Sequence, residues 1–499
     1  MKRNYQAIGL FTNQKAARRA NACFPVCYNE VMVNNNTIGE NKPSSCPLPQ
    51  EISAIFEKFI TAGGEIYLVG GAVRDILLGE KEITNWDFAT NAPPEKVQSL
   101  FEESFYDNQY GTVKIPHPKF TPIEITTYRS EKGYGDFRHP DQVFWGKTIK
   151  EDLSRRDFTI NAMALGPKIN SQTKKQDLSA GWELIDPFGG QEDLEKKLIR
   201  AVGNPNERFA EDALRLLRAI RLAAVLNFEI EEKTFQAIKK NAALIKKVSG
   251  ERIREEIFKI LTSNQVEKGF NLLRETGLLE HIFPELLPAY NLTQKGHHLW
   301  DVWRHSLLAV QFCPSSDPIV RLATLLHDVG KPQVVAEING ERTFYNHEVV
   351  GAKMARQIGQ RLRLSNKDLD RLYRLVRWHQ FSVSENQTDK ALKRFLRRVG
   401  PENVEDMLAL RTGDRLGSGA KKTSWRTEEF KKRLIEVQKQ PFSITDLKID
   451  GHDVMESLNI PPGPKVGQVL KEIFAQVEEG KLENNRDVLL REIKKIKTK

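Results

Sequence analysis

The chain has 499 residues, 39% of them hydrophobic and 28% charged, with a formal net charge of +10. That length exceeds a single hydrophobic core and points to about three or four domains, while the positive balance favours a polyanionic partner. No apolar run approaches the roughly eighteen residues of a membrane span. Four cysteines (Cys23, Cys27, Cys46 and Cys313) in so long a chain argue against a disulfide scaffold and for a reducing compartment, the cytoplasm.

Residues 1–47 lack apolar periodicity, hold the patch Asn34, Asn35 and Asn36, and read as a disordered extension. Cys23, Cys27 and Cys46 have no fourth partner at zinc-ligand spacing and read as free thiols. Order is expected from Pro49, where Ile52, Ile55, Phe56 and Phe59 fall at helical spacing. EIYLVGG, GTVKI and IEITTYR then predict strands, and Pro94 to Phe101 a helix, within an α/β or α+β head over 48–190. From Glu192 the pattern is helical almost throughout, with Leu214, Leu217, Ile220 and Ala224 on one stripe. This predicts a helical neck over 191–285. Helices that carry most of the histidines continue over 286–420, and residues 421–499 form a charged tail broken by Pro461, Pro462 and Pro464.

Three groups of residues carry chemistry. Gly70 and Gly71 follow a predicted strand, where the backbone can approach phosphate oxygens, and Arg74 begins the next helix. Asp87 lies a few residues on, Asn85 shares its strand face, and Glu124 can come alongside from a neighbouring strand. Acidic oxygens so placed suit the magnesium that nucleotidyl transfer requires. Asp212 and Arg215, three apart on a predicted helix, present an acceptor beside a donor. Cytosine and adenine match that pair, whereas guanine and uracil leave buried groups unpaired at about 1–3 kcal/mol each. Finally, His305, His327, Asp328, His347, His379 and Asp414 are good ligands for a transition metal or a bridged metal pair.

LVGGAVRD, the following LLG, the WDFATNAPPE run, RRDFTINAMAL (155–165), IDPFGG (185–190) and RFAEDALRLLRAIR (208–221) occur in this order. Together they resemble the class II tRNA nucleotidyltransferases (CCA-adding enzymes) and the related bacterial poly(A) polymerases, over roughly residues 50–260. The resemblance implies a multi-domain α+β protein with a polymerase-β-like head and a mainly α-helical body. It implies addition of C, C and A to the tRNA 3′ end from CTP and ATP with Mg2+. Asp87 and Glu124 would be catalytic metal ligands. Gly70, Gly71, Arg74, Arg156, Asp157, Asn161, Asp212, Arg215 and Arg218 would bind nucleotide, with Glu211 flanking the selecting pair and Asp186 opening the turn from head to neck.

The family's metal strand usually reads Asp-x-Asp, and Asn85 stands here in the first place. Three readings follow: a tolerated variant with Asn85 as a weak ligand, a disabling substitution, or a local shift of alignment. SGERIREEI (249–257) resembles the family's supporting neck helix. Residues 130–144 match a flexible loop associated with the final A, and with YGTVKI (110–115) they favour full CCA addition.

LLHDVGKP (325–332) resembles the signature of HD metal-dependent phosphohydrolases. His305 and Asp414 stand where that family places further ligands, His347 and His379 between them, and Lys331 could neutralise charge. His297 and His298 look peripheral. The resemblance implies a divalent metal in this domain, and the tail resembles that of HD-bearing CCA enzymes, with a possible tRNA contact. Two alternatives remain: a poly(A) polymerase, or an RNA-binding HD phosphohydrolase with a silent head.

Overall fold

The computed structural model describes residues 48–107, 111–132, 142–294, 299–381, 387–420, 425–438, 444–479 and 481–496. The extension 1–47 with its three cysteines, most of the predicted loop 130–144, Tyr110, and the His297–His298 pair lie outside the described residues. The described residues form two compact units: those up to 215 with 229–237, and those of 216–228 with those from 238 on.

In the first unit, helix α1 (Gln50–Thr61) buries Ile52, Ile55, Phe56 and Phe59, the face its spacing predicts. Strand β1 (Ile66–Val69) is buried throughout, then Gly70 turns the chain into α2 (Gly71–Leu77). β2 (Asp87–Thr90), β3 (Phe105–Asp107), β4 (Thr112–Ile115) and β5 (Ile123–Thr127) follow. In β5 the apolar residues are buried and Glu124 is half-exposed, the alternation of a one-sided strand. A hairpin of β6 (Arg129–Lys132) and β7 (Gln142–Trp145) precedes α3 (Ile149–Ser154), β8 (Ala164–Pro167) and β9 (Trp182–Ile185). Seven of these strands form one sheet in the order β3-β4-β5-β2-β1-β8-β9. β2 and β5 run parallel; the other neighbours are antiparallel.

The head extends beyond residue 190, where the sequence pattern ends it. β10 (Leu198–Ile199) pairs in parallel with β11 (Glu229–Ile230). Thr159 N–H donates to the Arg200 carbonyl and Val202 N–H to that of Asp157. These short pairings carry too few residues to register against the helical periodicity around them. α4 (Pro205–Glu211) and α5 (Leu214–Leu226) follow, and the expected stripe Leu214, Leu217, Ile220 and Ala224 is buried.

The second unit is mainly helical. Its core includes α6 (Val302–Phe312), α7 (Pro318–Leu326), α8 (His347–Arg361), α9 (Asn366–Trp378) and α10 (Val404–Gly417). Asp301 and Asp317 cap α6 and α7 by accepting from main-chain N–H groups. The C-terminal helices α11 (Gly451–Leu458), α12 (Pro464–Glu478) and α13 (Arg486–Ile496) close over Val454, Val469, Ile473, Leu489 and Ile493. Among the described residues no helix is long and apolar enough to cross a membrane.

α6 and α10 touch backbone to backbone. A Cβ on Gly413 would lie 2.3 Å from the Ala309 carbonyl oxygen, and one on Gly417 2.6 Å from the Ala309 nitrogen. This approach puts Asp414 of α10 against His305 of α6. Gly417→Ala should force the helices apart at a cost of about 1–3 kcal/mol, read as a lower melting temperature of the purified protein. An unchanged melting temperature would show that the crossing tolerates a side chain.

Candidate functional site

At one end of the head sheet the register gathers the predicted groups. Val69 stands opposite Asp87 and Ala164, and Asp87 opposite Glu124. The Gly-Gly turn, both carboxylates and the segment leading into β8 therefore meet there. Gly70 has φ 75° and ψ −135°, a conformation favoured for glycine. A Cβ at that position would also meet Arg156 Nη1 at 2.8 Å, with Asp87 Oδ2 3.9 Å away. Arg74 lies over Gly71 and donates through Nη1 to Asn161 Oδ1 at 2.9 Å. Asn161 donates in turn to Asp157 Oδ1, which also accepts from Phe158 N–H. Arg74, Asn161 and Asp157 thus form one chain of hydrogen bonds beside the turn. Asp186 accepts from the N–H groups of Gly190 and Gln191, fixing the turn it opens.

Asn85 lies before β2 and not on it. Its Nδ2 donates to Asp87 Oδ2 at 3.0 Å, while its Oδ1 faces the Thr121 hydroxyl at 3.1 Å. An ionised carboxylate only accepts, so the amide nitrogen is the atom that must face Asp87. In this arrangement Asn85 is a donor that orients Asp87, with its carbonyl oxygen turned aside; as a weak metal ligand it would have to rotate. Glu124 Oε1 lies 3.1 Å from Lys114 Nζ, and both side chains are half-exposed. Solvent makes such a pair weak, so Lys114 can give way to a divalent cation. Two carboxylates on paired strands, open to solvent, are hard oxygen donors that fit magnesium. Thr121 and Lys114 carried no signal in the motif reading, although Lys114 is the direct register partner of Glu124 across β4 and β5.

Asp212 and Arg215 do not share a continuous helix. α4 ends at Glu211, and Asp212 is extended at φ −137°, ψ 106°. Its carboxylate accepts from Leu214 N–H at 3.1 Å and its carbonyl from Arg215 N–H, so it caps the start of α5. The two residues are joined across a helix break by that main-chain bond. Arg215 is held from three directions. Nη1 donates to Glu211 Oε2 at 2.6 Å and to the Arg208 carbonyl at 3.2 Å, and Nη2 donates to the Arg155 carbonyl at 3.0 Å. Arg218 lies further along α5, in the part that belongs to the second unit.

Asp152, which motif reasoning missed, is fully buried and accepts from both Arg155 and Arg156. Burial would raise its pKa, but the Arg155 and then the Arg156 guanidinium outweigh this and hold the carboxyl below its ordinary range.

In the second unit the six expected ligands come together. Asp328 Oδ2 lies 3.5 Å from His305 Nε2 and 3.2 Å from His327 Nε2, and Asp414 Oδ1 lies 3.2 Å from His305 Nε2. Asp328 Oδ1 lies 3.2 Å from His347 Nε2 and 3.8 Å from His379 Nε2. Asp328 therefore belongs to two triads, His305–His327–Asp328 and Asp328–His347–His379, all buried. The Nδ1 atoms of His327, His347 and His379 each lie 2.7 Å from a main-chain carbonyl oxygen. In the neutral ring that contact places the proton on Nδ1 and leaves Nε2 facing inward as a lone-pair donor; on His327 a bound cation would displace the second proton from Nε2.

The group already favours positive charge at its centre. Burial alone would lower the His327 pKa, yet Asp328 and Asp414 push it up to about 10. His379 goes down to about 3, by burial first and then by the charge on His327. Donor set, tautomers and a shared carboxylate fit a metal pair. Lys331 donates to Asp328 Oδ2 at 2.6 Å and to Gln294 Oε1 at 2.5 Å.

Three family descriptions match successive stretches: the poly A polymerase head domain over residues 66–200, a probable RNA and SrmB-binding site of polymerase A over 227–290, and a putative tRNA nucleotidyltransferase domain 2 over 347–493. The CCA-adding enzyme of Limosilactobacillus reuteri (strain DSM 20016) is 32% identical over 462 residues, covering 90% of this chain and 98% of that protein. The A-adding tRNA nucleotidyltransferase of Deinococcus radiodurans is 33% identical, covering 81% and 89% respectively. The crystal structure of the Bacillus stearothermophilus CCA-adding enzyme with CTP superposes with a TM-score of 0.65 at 28% identity, covering 91% of this chain and 98% of that one. With relatives matched along nearly their whole length, and with the sheet end and its turn built as described, the chain belongs to the tRNA nucleotidyltransferase family that includes the CCA-adding enzymes.

Proposed function

We propose that the protein adds C, C and A to the 3′ end of tRNA from CTP and ATP, without a nucleic acid template. The observation that carries this reading is the register of Asp87 with Glu124 beside a turn whose backbone favours glycine. The relatives' near-complete coverage and the CTP-bound Bacillus neighbour support it. In the reaction, the tRNA 3′ oxygen forms a bond to the α-phosphorus of the nucleotide, the α–β phosphoanhydride bond breaks, and pyrophosphate leaves.

Asp87 and Glu124 would hold magnesium, which when bound neutralises phosphate charge and favours the attacking hydroxyl. Asn85 keeps Asp87 oriented. Gly70 and Gly71 let the backbone reach the phosphates, Arg156 and Arg74 supply positive charge there, and Asn161 and Asp157 hold Arg74. Asp212 and Arg215 would accept from the exocyclic amine and donate to the ring nitrogen of cytosine or adenine.

The deciding assay incubates the protein and magnesium with tRNA that lacks its end and with each nucleotide. Stopping after C, C and A is expected. Long tails from ATP alone would identify a poly(A) polymerase. Growth only on tRNA already ending in CC would mean an A-adding enzyme, as the Deinococcus relative is named, and no addition would mean a silent head.

Two substitutions refine the head. Asn85→Asp places a third carboxylate beside Asp87 and should lower the half-saturating magnesium concentration by about tenfold; an unchanged magnesium titration would remove position 85 from the site. Gly70→Ala should raise KM for both nucleotides by about tenfold, since the left-handed turn costs roughly 1–2 kcal/mol and Arg156 must also move. Unaltered KM values would place the triphosphate elsewhere.

A second activity is favoured by one observation, the two triads that share Asp328. We read this group as a metal-dependent phosphohydrolase site of the HD type, acting on a phosphodiester such as a 2′,3′-cyclic phosphate. His305, His327, Asp328, His347, His379 and Asp414 would hold a divalent metal pair, whose Lewis acidity when bound favours attack of water on phosphorus. Lys331 already neutralises the shared carboxylate. Asp328→Ala should empty both positions in elemental analysis and abolish cyclic-phosphate hydrolysis, while nucleotide addition persists. Retained metal content would refute the shared role of Asp328.

A further inference from the structure

Asp152 sits near the end of α3 with its side chain at 0% exposure. Oδ1 accepts from Arg155 Nε at 3.0 Å and from Arg155 Nη2 at 2.6 Å, and Oδ2 accepts from Arg156 Nη2 at 3.2 Å. One carboxylate therefore grips two successive guanidinium groups, and the two arginines serve different places. Arg156 presents Nη1 to Gly70, within 2.8 Å of where a Cβ would stand. Its Nε is buried and makes no hydrogen bond among the described residues, so the grip of Asp152 is what fixes this guanidinium. Arg155 points its side chain inward to Asp152 and its carbonyl outward to Arg215 Nη2.

We propose that Asp152 is a positioning residue for nucleotide addition, bracing Arg156 toward the triphosphate turn and, through the Arg155 main chain, Arg215 toward the base. This rests on the nucleotidyltransferase reading of the head. The brace couples the two ends of the nucleotide. Loss of the carboxylate frees the Arg156 guanidinium at the triphosphate turn and unties the Arg155 side chain, whose main chain holds Arg215, without removing any group that touches substrate.

A purely architectural Asp152 would change stability alone, so the test needs readouts that stability does not move. Asp152→Asn keeps size and shape and removes the charge. Binding of CTP, ATP, UTP and tripolyphosphate is measured by calorimetry on the full chain, beside single-turnover addition to tRNA and a thermal melt. Asp152→Asn should weaken CTP, ATP and tripolyphosphate binding by about tenfold and shrink the preference for CTP over UTP by about tenfold. Arg155→Gln is the second variant and separates the arms. It should shrink the CTP-over-UTP preference while tripolyphosphate binding stays at the wild-type level, because Arg156 keeps its partner.

The proposal is overturned if Asp152→Asn binds and discriminates as the wild type does. It is equally overturned if Asp152→Asn loses binding only in proportion to its loss of folded protein while Arg155→Gln discriminates normally. A wild-type protein that binds the nucleotides but extends no tRNA would defeat the reaction assigned to the head, yet leave the brace legible in the binding data.

Discussion

Parallel pairing of β2 with β5 is the constraint on which the head depends. It sets Asp87 beside Glu124, and the antiparallel pairing of β1 sets Val69, hence Gly70, beside Asp87. A slip of one residue in either pair would turn a carboxylate to the opposite face of the sheet. That register is specified by burial: Ile123 and Ile125 face the core on either side of Glu124, and Phe88 and Ala89 are buried just after Asp87. The hydrophobic pattern that folds the sheet is therefore the same pattern that aims the acids.

The second unit solves a comparable problem with helices. The six residues proposed as ligands are spread along the chain from His305 to Asp414, so their meeting depends on interhelical distances. Glycine permits close approaches of this kind, at Gly413 and Gly417 against Ala309. Gly330, next to the ligand pair, packs as tightly, since a Cβ there would fall 2.2 Å from the His347 carbonyl. Backbone contact of this kind leaves little slack, which suits a site whose ligand atoms must hold separations of a few ångströms. The rings of His327, His347 and His379 are further fixed by the bond each outer nitrogen makes to a main-chain carbonyl, so position and tautomer are settled together.

Much of this was legible in the sequence because the signals were local. Gly70, Asp87 and Glu124 follow from turn chemistry and strand alternation, and the histidine and aspartate cluster of the second unit from residue type and order. What stayed illegible was decided by partners distant in the chain. The 208–221 segment reads as one helix, since Ala213 is a good helix former and the apolar stripe runs on. The chain breaks at Asp212 all the same, with its carboxylate turned to Leu214 N–H and Arg215 drawn to the Arg155 carbonyl, contacts with no trace in periodicity. Asn85 could be recognised as a departure, but its orientation depends on Thr121. The extent of the head beyond residue 190 rests on two-residue strands, which no pattern window resolves. Asp152 escaped because a carboxylate one turn from two arginines reads as an ordinary surface salt bridge until its burial is known.

Braced in this way, Arg215 has a restricted set of donors. A guanidinium carries five N–H groups. Both on Nη1 go to Glu211 and the Arg208 carbonyl, and one on Nη2 goes to the Arg155 carbonyl. What remains is Nε–H and one Nη2–H. Cytosine and adenine each offer a ring nitrogen that can accept such a donor; uracil and guanine present an N–H there instead. An unbraced arginine could swing aside and let water or another acceptor relieve the clash. One tied at three points cannot, and the wrong base then leaves facing donors unpaired at about 1–3 kcal/mol each. On the proposed reading, selection is a property of the whole brace, in which Glu211, Arg155 and Asp152 set the rigidity that makes the contacts of Asp212 and Arg215 discriminating.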